Sequence, residues 1–128
     1  MSIPADLKYT NEHEWIRLEG KQGTIGITDF AQSQLGDVVF VDLPKVGSKI
    51  KRGETFGVVE SVKTVSDLFA PADGTVVAIN EELVKTPEMI NREPYGKAWM
   101  IRLELDSPTQ VSDLLDAKAY EKLTAEAH

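Results

Sequence analysis

The reading of Gly57 to Gly74, "GVVESVKTVSDLFAPADG", decides what fold this chain adopts. Val58, Val62, Val65 and Phe69 fall at i, i+4, i+7 and i+11, the spacing of an amphipathic helix on which Lys63 is an ordinary solvated residue. Residue type argues the other way. Val58, Val59, Val62, Thr64 and Val65 are β-branched, lose side-chain freedom in a helix and pack well on a pleated sheet. Gly57 and "PADG" place turn chemistry at both ends. Two strands meeting near Ser61 to Thr64 satisfy both facts, because a turn there interrupts strict alternation and produces the valine spacing. Lys63 then stands at or beside a hairpin tip, a single cation in a run that otherwise looks ready to be buried.

The flanking sequence supports a β-rich surround. "WIRLEGKQGTIGI", Trp15 to Ile27, alternates apolar and polar residues around a glycine-bearing connection and reads as a hairpin. "ITDFAQSQLGD" predicts a short helix with Thr28 as N-cap and Gly36 as its stop. "DVVFVDL", "GTVVAIN" and "AWMIRLEL" read as strands, the last with Trp99, Ile101, Leu103 and Leu105 on one face. In "TPEMINREPYG", Thr86 as a cap and Pro87 at the first helical position predict a single helical turn, broken by Pro94. The tail "VSDLLDAKAYEKLTAEA" carries Val111, Leu115, Ala119 and Leu123 four apart, which predicts a helix over about 109–125 that docks on the sheet. One domain over 1–128 is expected, with a mainly β core at about 7–106.

Composition narrows the function. With 14 basic and 21 acidic residues the chain of 128 has a net charge of -7 and no basic block, so nucleic acid is not an expected partner. No window offers the roughly 20 apolar residues that span a bilayer, and the N-terminus lacks a basic segment followed by an apolar one. A bacterial cytoplasmic protein is expected, in preference to a processed mitochondrial form. The chain has no cysteine, which removes disulfides, thiolate metal sites and thiol nucleophiles. His13 and His128 are too separated to suggest a metal site. The glycines of "GKQGTIG" lack the context of a phosphate loop, and Trp15, Trp99 and Tyr95 read as core or cleft-wall residues.

Three roles for Lys63 remain open on these grounds. A Schiff-base nucleophile needs an apolar pocket or a neighbouring cation, and Glu60 and Asp67 favour the charged form instead. A solvated turn residue is the plain alternative. The third is an acylation site, a lysine held out on a rigid turn to carry a long prosthetic group.

"GVVESVKTVSD" followed by "APADGTVVAIN" resembles the lipoyl-lysine hairpin of the glycine cleavage system H-protein family. "YTNEHEWIRLEG", "TIGITDFAQSQLGDVVFVDLP", "VGSKIKRGETFGVVESVK", "INREPYGKAWMIRLEL" and "LLDAKAYEKL" resemble that family in the same order, from about Leu7 to Leu123. The resemblance implies a lipoyl or biotinyl hammerhead, a flattened antiparallel β-sandwich with short peripheral helices and a C-terminal helix. It implies lipoic acid in amide linkage at Lys63, within a recognition segment of Glu60, Ser61, Val62 and Thr64, so that a chain without cysteine performs disulfide chemistry through an imported ring.

The same resemblance implies a non-catalytic shuttle. It would carry an aminomethyl intermediate from a pyridoxal-phosphate glycine decarboxylase to a tetrahydrofolate-dependent aminomethyltransferase, and the dithiol to a FAD-containing dihydrolipoamide dehydrogenase. Lipoate-attaching enzymes are further partners, and a monomer is expected. No catalytic residue or metal is implied. The arm cleft would use Glu14 and Asp67, with a small polar residue at the position of Glu12. Here that position is Glu rather than Ser, which either strengthens the negative end or points to solvent. Glu14 and Asp67 also have plain readings as a solvated strand residue and a polar hairpin residue. The alternatives are a lipoyl donor in lipoate relay, an unmodified interaction protein, another lipoyl carrier, or a biotin carrier. Val62 and Thr64, where biotin domains place methionines, argue against the last.

Overall fold

The structure is a computed structural model that describes residues 3–126. In chain order the strands are β1 (Lys8–Tyr9), β2 (Glu14–Glu19), β3 (Gln22–Ile27), β4 (Val38–Asp42), β5 (Lys49–Ile50), β6 (Thr55–Ser61), β7 (Val65–Phe69), β8 (Gly74–Ile79) and β9 (Ile101–Leu105). The helices are α1 (Asp29–Leu35), α2 (Glu81–Lys85), α3 (Met89–Arg92) and α4 (Ala117–Glu126), with a 3-10 segment at Pro108–Asp113. One sheet runs β1-β2-β3-β9-β8-β5 and the second β4-β6-β7. All the pairings are antiparallel. The expected mainly β, flattened two-sheet architecture with short helices is the one observed.

The sheets close on a shared apolar layer. Ile16, Ile25, Val41, Val59, Val76 and Leu103 are buried there with Leu68 and Ile101, and each such side chain contributes about 1.5–3 kcal/mol by leaving water. Strand register decides which residues take part. In the small sheet Val41, Val59 and Ser66 lie side by side, and the first two are buried. The adjacent row, Phe40, Glu60 and Val65, faces outward and is exposed. A second cluster of Leu7, Tyr9, Trp15 and Tyr120 seals the β1 edge of the large sheet. Trp15 Nε1–H is satisfied there by the Ile27 and Pro94 carbonyls, both at 2.9 Å.

Helix α1 follows its sequence signals. Thr28 Oγ1 accepts from Ala31 N–H at 3.1 Å, and Gly36 ends the helix at φ 77, ψ -154. That backbone region is essentially reserved for glycine.

Elsewhere the structure corrects the sequence reading. The tail is not one helix: the 3-10 segment ends at Asp113, Leu115 exchanges backbone bonds with Tyr9, and α4 starts at Ala117. Val111 therefore joins the main core, while Tyr120 and Thr124 rather than Ala119 are buried on α4. Thr86 is no N-cap; its N–H closes α2 on the Glu82 carbonyl, and the following helix begins at Met89. The last long strand starts at Ile101, leaving Trp99 outside it with the Arg102 guanidinium over its ring at 4.4 Å. Nor are the valines of the tip buried. Val62 is 70% exposed on the turn, and Val65 is 62% exposed because it belongs to the outward-facing row with Phe40 and Glu60.

Candidate functional site

The tip of β6–β7 is closed by a side chain. Ser61 N–H donates to the Thr64 carbonyl at 2.8 Å, and Ser61 Oγ accepts from Lys63 N–H at 3.3 Å and Thr64 N–H at 3.2 Å. A hydroxyl that gathers the amides ahead of it replaces the glycine that tight hairpin loops otherwise need. Val62 N–H reaches across to the Asp37 carbonyl at 3.0 Å, which ties the tip to the strand entry of β4. Lys63 is thus exposed on a short, internally bonded turn. Its Cε runs over Gly36, where an added Cβ would stand 3.5 Å away.

Gly36 follows Leu35, and Leu35 belongs to the wall of a cleft of about 300 Å³. Phe30, Ala31 and Leu68 contribute further apolar wall, while Glu12, Glu14 and Asp67 contribute carboxyls. The fold therefore brings Asp67 onto one cleft with Glu12 and Glu14, which are near neighbours in the sequence. Glu60 does not join them; it stands between Phe40 and Val65 on the outer face. Ser61, Val62 and Thr64 form the turn around Lys63.

The three carboxyls occupy different environments. Glu12 and Asp67 are exposed at the rim. Glu14 is 2% exposed, which excludes its reading as a solvated strand residue. Thr10 Oγ1–H donates to Glu14 Oε1 at 2.6 Å and Phe69 N–H to Oε2 at 3.2 Å. Burial pushes its pKa up to about 7 despite those two bonds. A cleft with an apolar wall, one buried ionisable acid and two exposed ones suits a long apolar arm ending in a cation.

Sequence reasoning missed His13, Phe30 and Gln34, which also line this cleft. The His13 ring lies on Phe30 at 4.7 Å and its Nδ1 is 2.8 Å from Tyr120 Oη. The missed signal was the spacing in "HEW", which puts His13 directly before the buried acid. Trp15, Trp99 and Tyr95 do not line the cleft.

Two antiparallel sheets with a lysine displayed on a bonded hairpin tip define a carrier domain of the hammerhead type. The glycine cleavage H-protein family model matches residues 7–127, and the chain belongs to that family. It is 60% identical over 125 residues to the glycine cleavage system H protein of Symbiobacterium thermophilum, covering 98% of each chain. It is 56% identical over 126 residues to that of Bacillus subtilis, covering 98% of this chain and 99% of the relative. The crystal structure of a glycine cleavage system H protein from Mycobacterium marinum superposes with a TM-score of 0.89 at 42% identity, covering 96% of this chain and 99% of that one. The chain is accordingly a carrier component and not a catalytic enzyme. Among the described residues, no helix is long and apolar enough to cross a membrane.

Proposed function

We propose that the chain is the lipoyl-bearing shuttle of the glycine cleavage system, with the lipoyl group in amide linkage to Lys63. The observation that carries this reading is the placement of an exposed lysine on a turn held by Ser61, with its side chain against Gly36, the residue after the cleft-lining Leu35. When attached, the group would supply a dithiolane whose disulfide can be opened and reduced as one sulfur accepts an aminomethyl unit, the partners implied being a pyridoxal-phosphate glycine decarboxylase and a tetrahydrofolate-dependent aminomethyltransferase. A FAD-containing dihydrolipoamide dehydrogenase would reoxidise the dithiol, passing its two electrons to NAD, and lipoate-attaching enzymes would install the group. A cytoplasmic monomer fits a carrier that must present one tip to several enzymes.

The residues of the chain divide the work. Ser61 and the Asp37 carbonyl hold the tip, Val62 and Thr64 leave room around the lysine, and Glu60 keeps its outer face acidic. Leu35, Ala31 and Leu68 offer the apolar methylenes of the arm a dry wall. Asp67 and Glu12 attract an ammonium from the rim. Glu14 receives it: a cation beside a buried acid favours the carboxylate, so lodging the cargo is linked to release of a proton from Glu14. Once ionised beside the cation, the carboxylate holds it out of water.

Intact mass tests the proposal. Protein incubated with lipoate ligase, ATP and lipoate should gain one lipoyl increment on the peptide containing Lys63, and Lys63→Arg should gain none while keeping its melting temperature. An unmodified wild-type peptide rejects the carrier reading, and a biotin increment obtained with a biotin ligase moves it to the biotin class.

A further inference from the structure

The cleft is joined to the C-terminal helix by a chain of hydrogen bonds whose direction can be assigned. Ala31 N–H donates to Thr28 Oγ1 at 3.1 Å, Thr28 Oγ1 lies 2.6 Å from Tyr120 Oη, and Tyr120 Oη lies 2.8 Å from His13 Nδ1. Thr28 is fully buried, and among the described residues Tyr120 Oη is the partner available to its hydroxyl proton. A buried hydroxyl left without an acceptor is costly, so Thr28 donates to Tyr120. The Tyr120 proton is then directed at His13 Nδ1, which must be bare. A neutral imidazole with bare Nδ1 carries its proton on Nε2.

The surroundings hold this arrangement. Burial raises the Tyr120 pKa and lowers that of His13, with the Glu12 charge opposing the latter. His13 also has φ 69, a left-handed backbone that few side chains adopt. It is kept there by its N–H to the Thr10 carbonyl at 3.2 Å and by Thr28 N–H to its own carbonyl at 3.0 Å. Tyr120 is in turn stacked on Tyr9 at 4.6 Å. Strain maintained from both sides, at a residue that lines the cleft, marks a ring whose orientation matters.

We propose that Tyr120 is a positioning residue for the arm cleft: its hydroxyl fixes the His13 ring as the Nε2–H tautomer on the cleft wall, where that N–H donates to an acceptor atom of the lodged arm. His13 Nε2 has no protein partner among the described residues. A carboxylate can only accept, so an uncharged donor supplies what the acidic residues of the cleft lack without repelling a cationic cargo. The tautomer assignment rests on the hydrogen bonds alone; the donation to the arm rests on the carrier reading above.

The test is a two-bond proton–nitrogen correlation spectrum of the imidazole in 15N-labelled full-length protein, with His128→Gln present so that one ring remains. Bare Nδ1 with protonated Nε2 is expected, both before and after lipoylation. Tyr120→Phe keeps the stack on Tyr9 and removes the hydroxyl; its spectrum should show both tautomers in exchange. Its aminomethyl-loaded form should decay about threefold faster, the loss of one ordinary hydrogen bond, with the extent of Lys63 lipoylation unchanged. A protonated Nδ1 in the parent protein, or an unaltered spectrum in Tyr120→Phe, overturns the relay. An altered spectrum with an unchanged loaded lifetime overturns the donation to the arm. If Tyr120→Phe fails to fold, the parent spectrum decides alone. Failure of lipoylation at Lys63 sinks the carrier reading and leaves the spectrum as it was, so the two failures are distinguishable.

Discussion

The molecule contains two hairpins that use the same pairing for opposite ends. In β2–β3 the loop turns at Gly20, whose φ of 63 suits a residue without a side chain, and the strand buries Glu14, Trp15 and Ile16 in succession. In β6–β7 the loop has no residue at positive φ and is bonded instead by the Ser61 hydroxyl, with Val62, Lys63 and Val65 left in water. The first hairpin hides an ionisable group between layers, at a cost in solvation. The second holds one out, at the cost of exposed apolar surface. The proposed arm and its cleft would need both: a carboxyl that water does not reach, and an amine that an enzyme can.

The largest test of that contrast is Glu14→Gln. The Glu14 pKa, raised from 4.5 to about 7 by burial, means that between those values the folded protein holds more protons than the unfolded chain. Stability therefore falls as pH rises from about 4.5 to about 7, by about 3 kcal/mol across the window. Gln has no such charge to bury, so a series of denaturant melts from pH 4 to 8 should lose this slope. At pH 4 the folded parent holds Glu14 protonated, with one accepting and one donating end like the Gln amide, so the variant should match the parent there and differ from it only as pH rises. A slope that survives the substitution removes Glu14 as its source.

Next in size are the two loops. Ser61→Ala deletes the acceptor shared by Lys63 and Thr64 N–H and should cost about 1 kcal/mol in urea melts. Its further consequence should be a severalfold lower kcat/KM for lipoyl attachment, because the lysine is no longer presented in one geometry. Gly20→Ala on the other hairpin should cost a similar amount through backbone strain, since nothing stands within 4 Å of the added Cβ. Attachment at Lys63 should be unaffected by it. Equal attachment rates in the two variants would mean that the bonded tip serves stability and nothing else.

The difference between the hairpins also explains what the sequence could disclose. A tip has local chemistry, so valines, glycine brackets and a lone lysine placed β6–β7 correctly, just as Thr28 and Gly36 placed α1. Burial depends on partners far along the chain. Glu14 breaks the alternation that a half-exposed strand would show, because β2 is covered on both faces at that point. The same dependence broke the C-terminal helix. Leu115 was in register with Val111 and Ala119, but its backbone is bonded to Tyr9, over a hundred residues away. Helix α2 passed unseen because its single buried residue, Leu83, gives no periodicity.

The smallest expected effect separates the two kinds of carboxyl. Asp67 is exposed on β7, where it pairs with Val58 and meets the cleft at its rim. Asp67→Asn should shorten the lifetime of the aminomethyl-loaded form about twofold at low salt, as an exposed charge interaction allows. Raising ionic strength shrinks the Debye length to about 3 Å at 1 M, so parent and Asp67→Asn lifetimes should converge there. The lifetime difference between parent and Glu14→Gln should persist, because mobile ions do not enter a buried site. If both differences vanish in salt, the cargo is held by the field of the rim, and the buried acid of β2 contributes nothing to its retention. If neither does, the cargo lies deeper than Asp67, and the exposed hairpin supplies the arm without helping to hold its load.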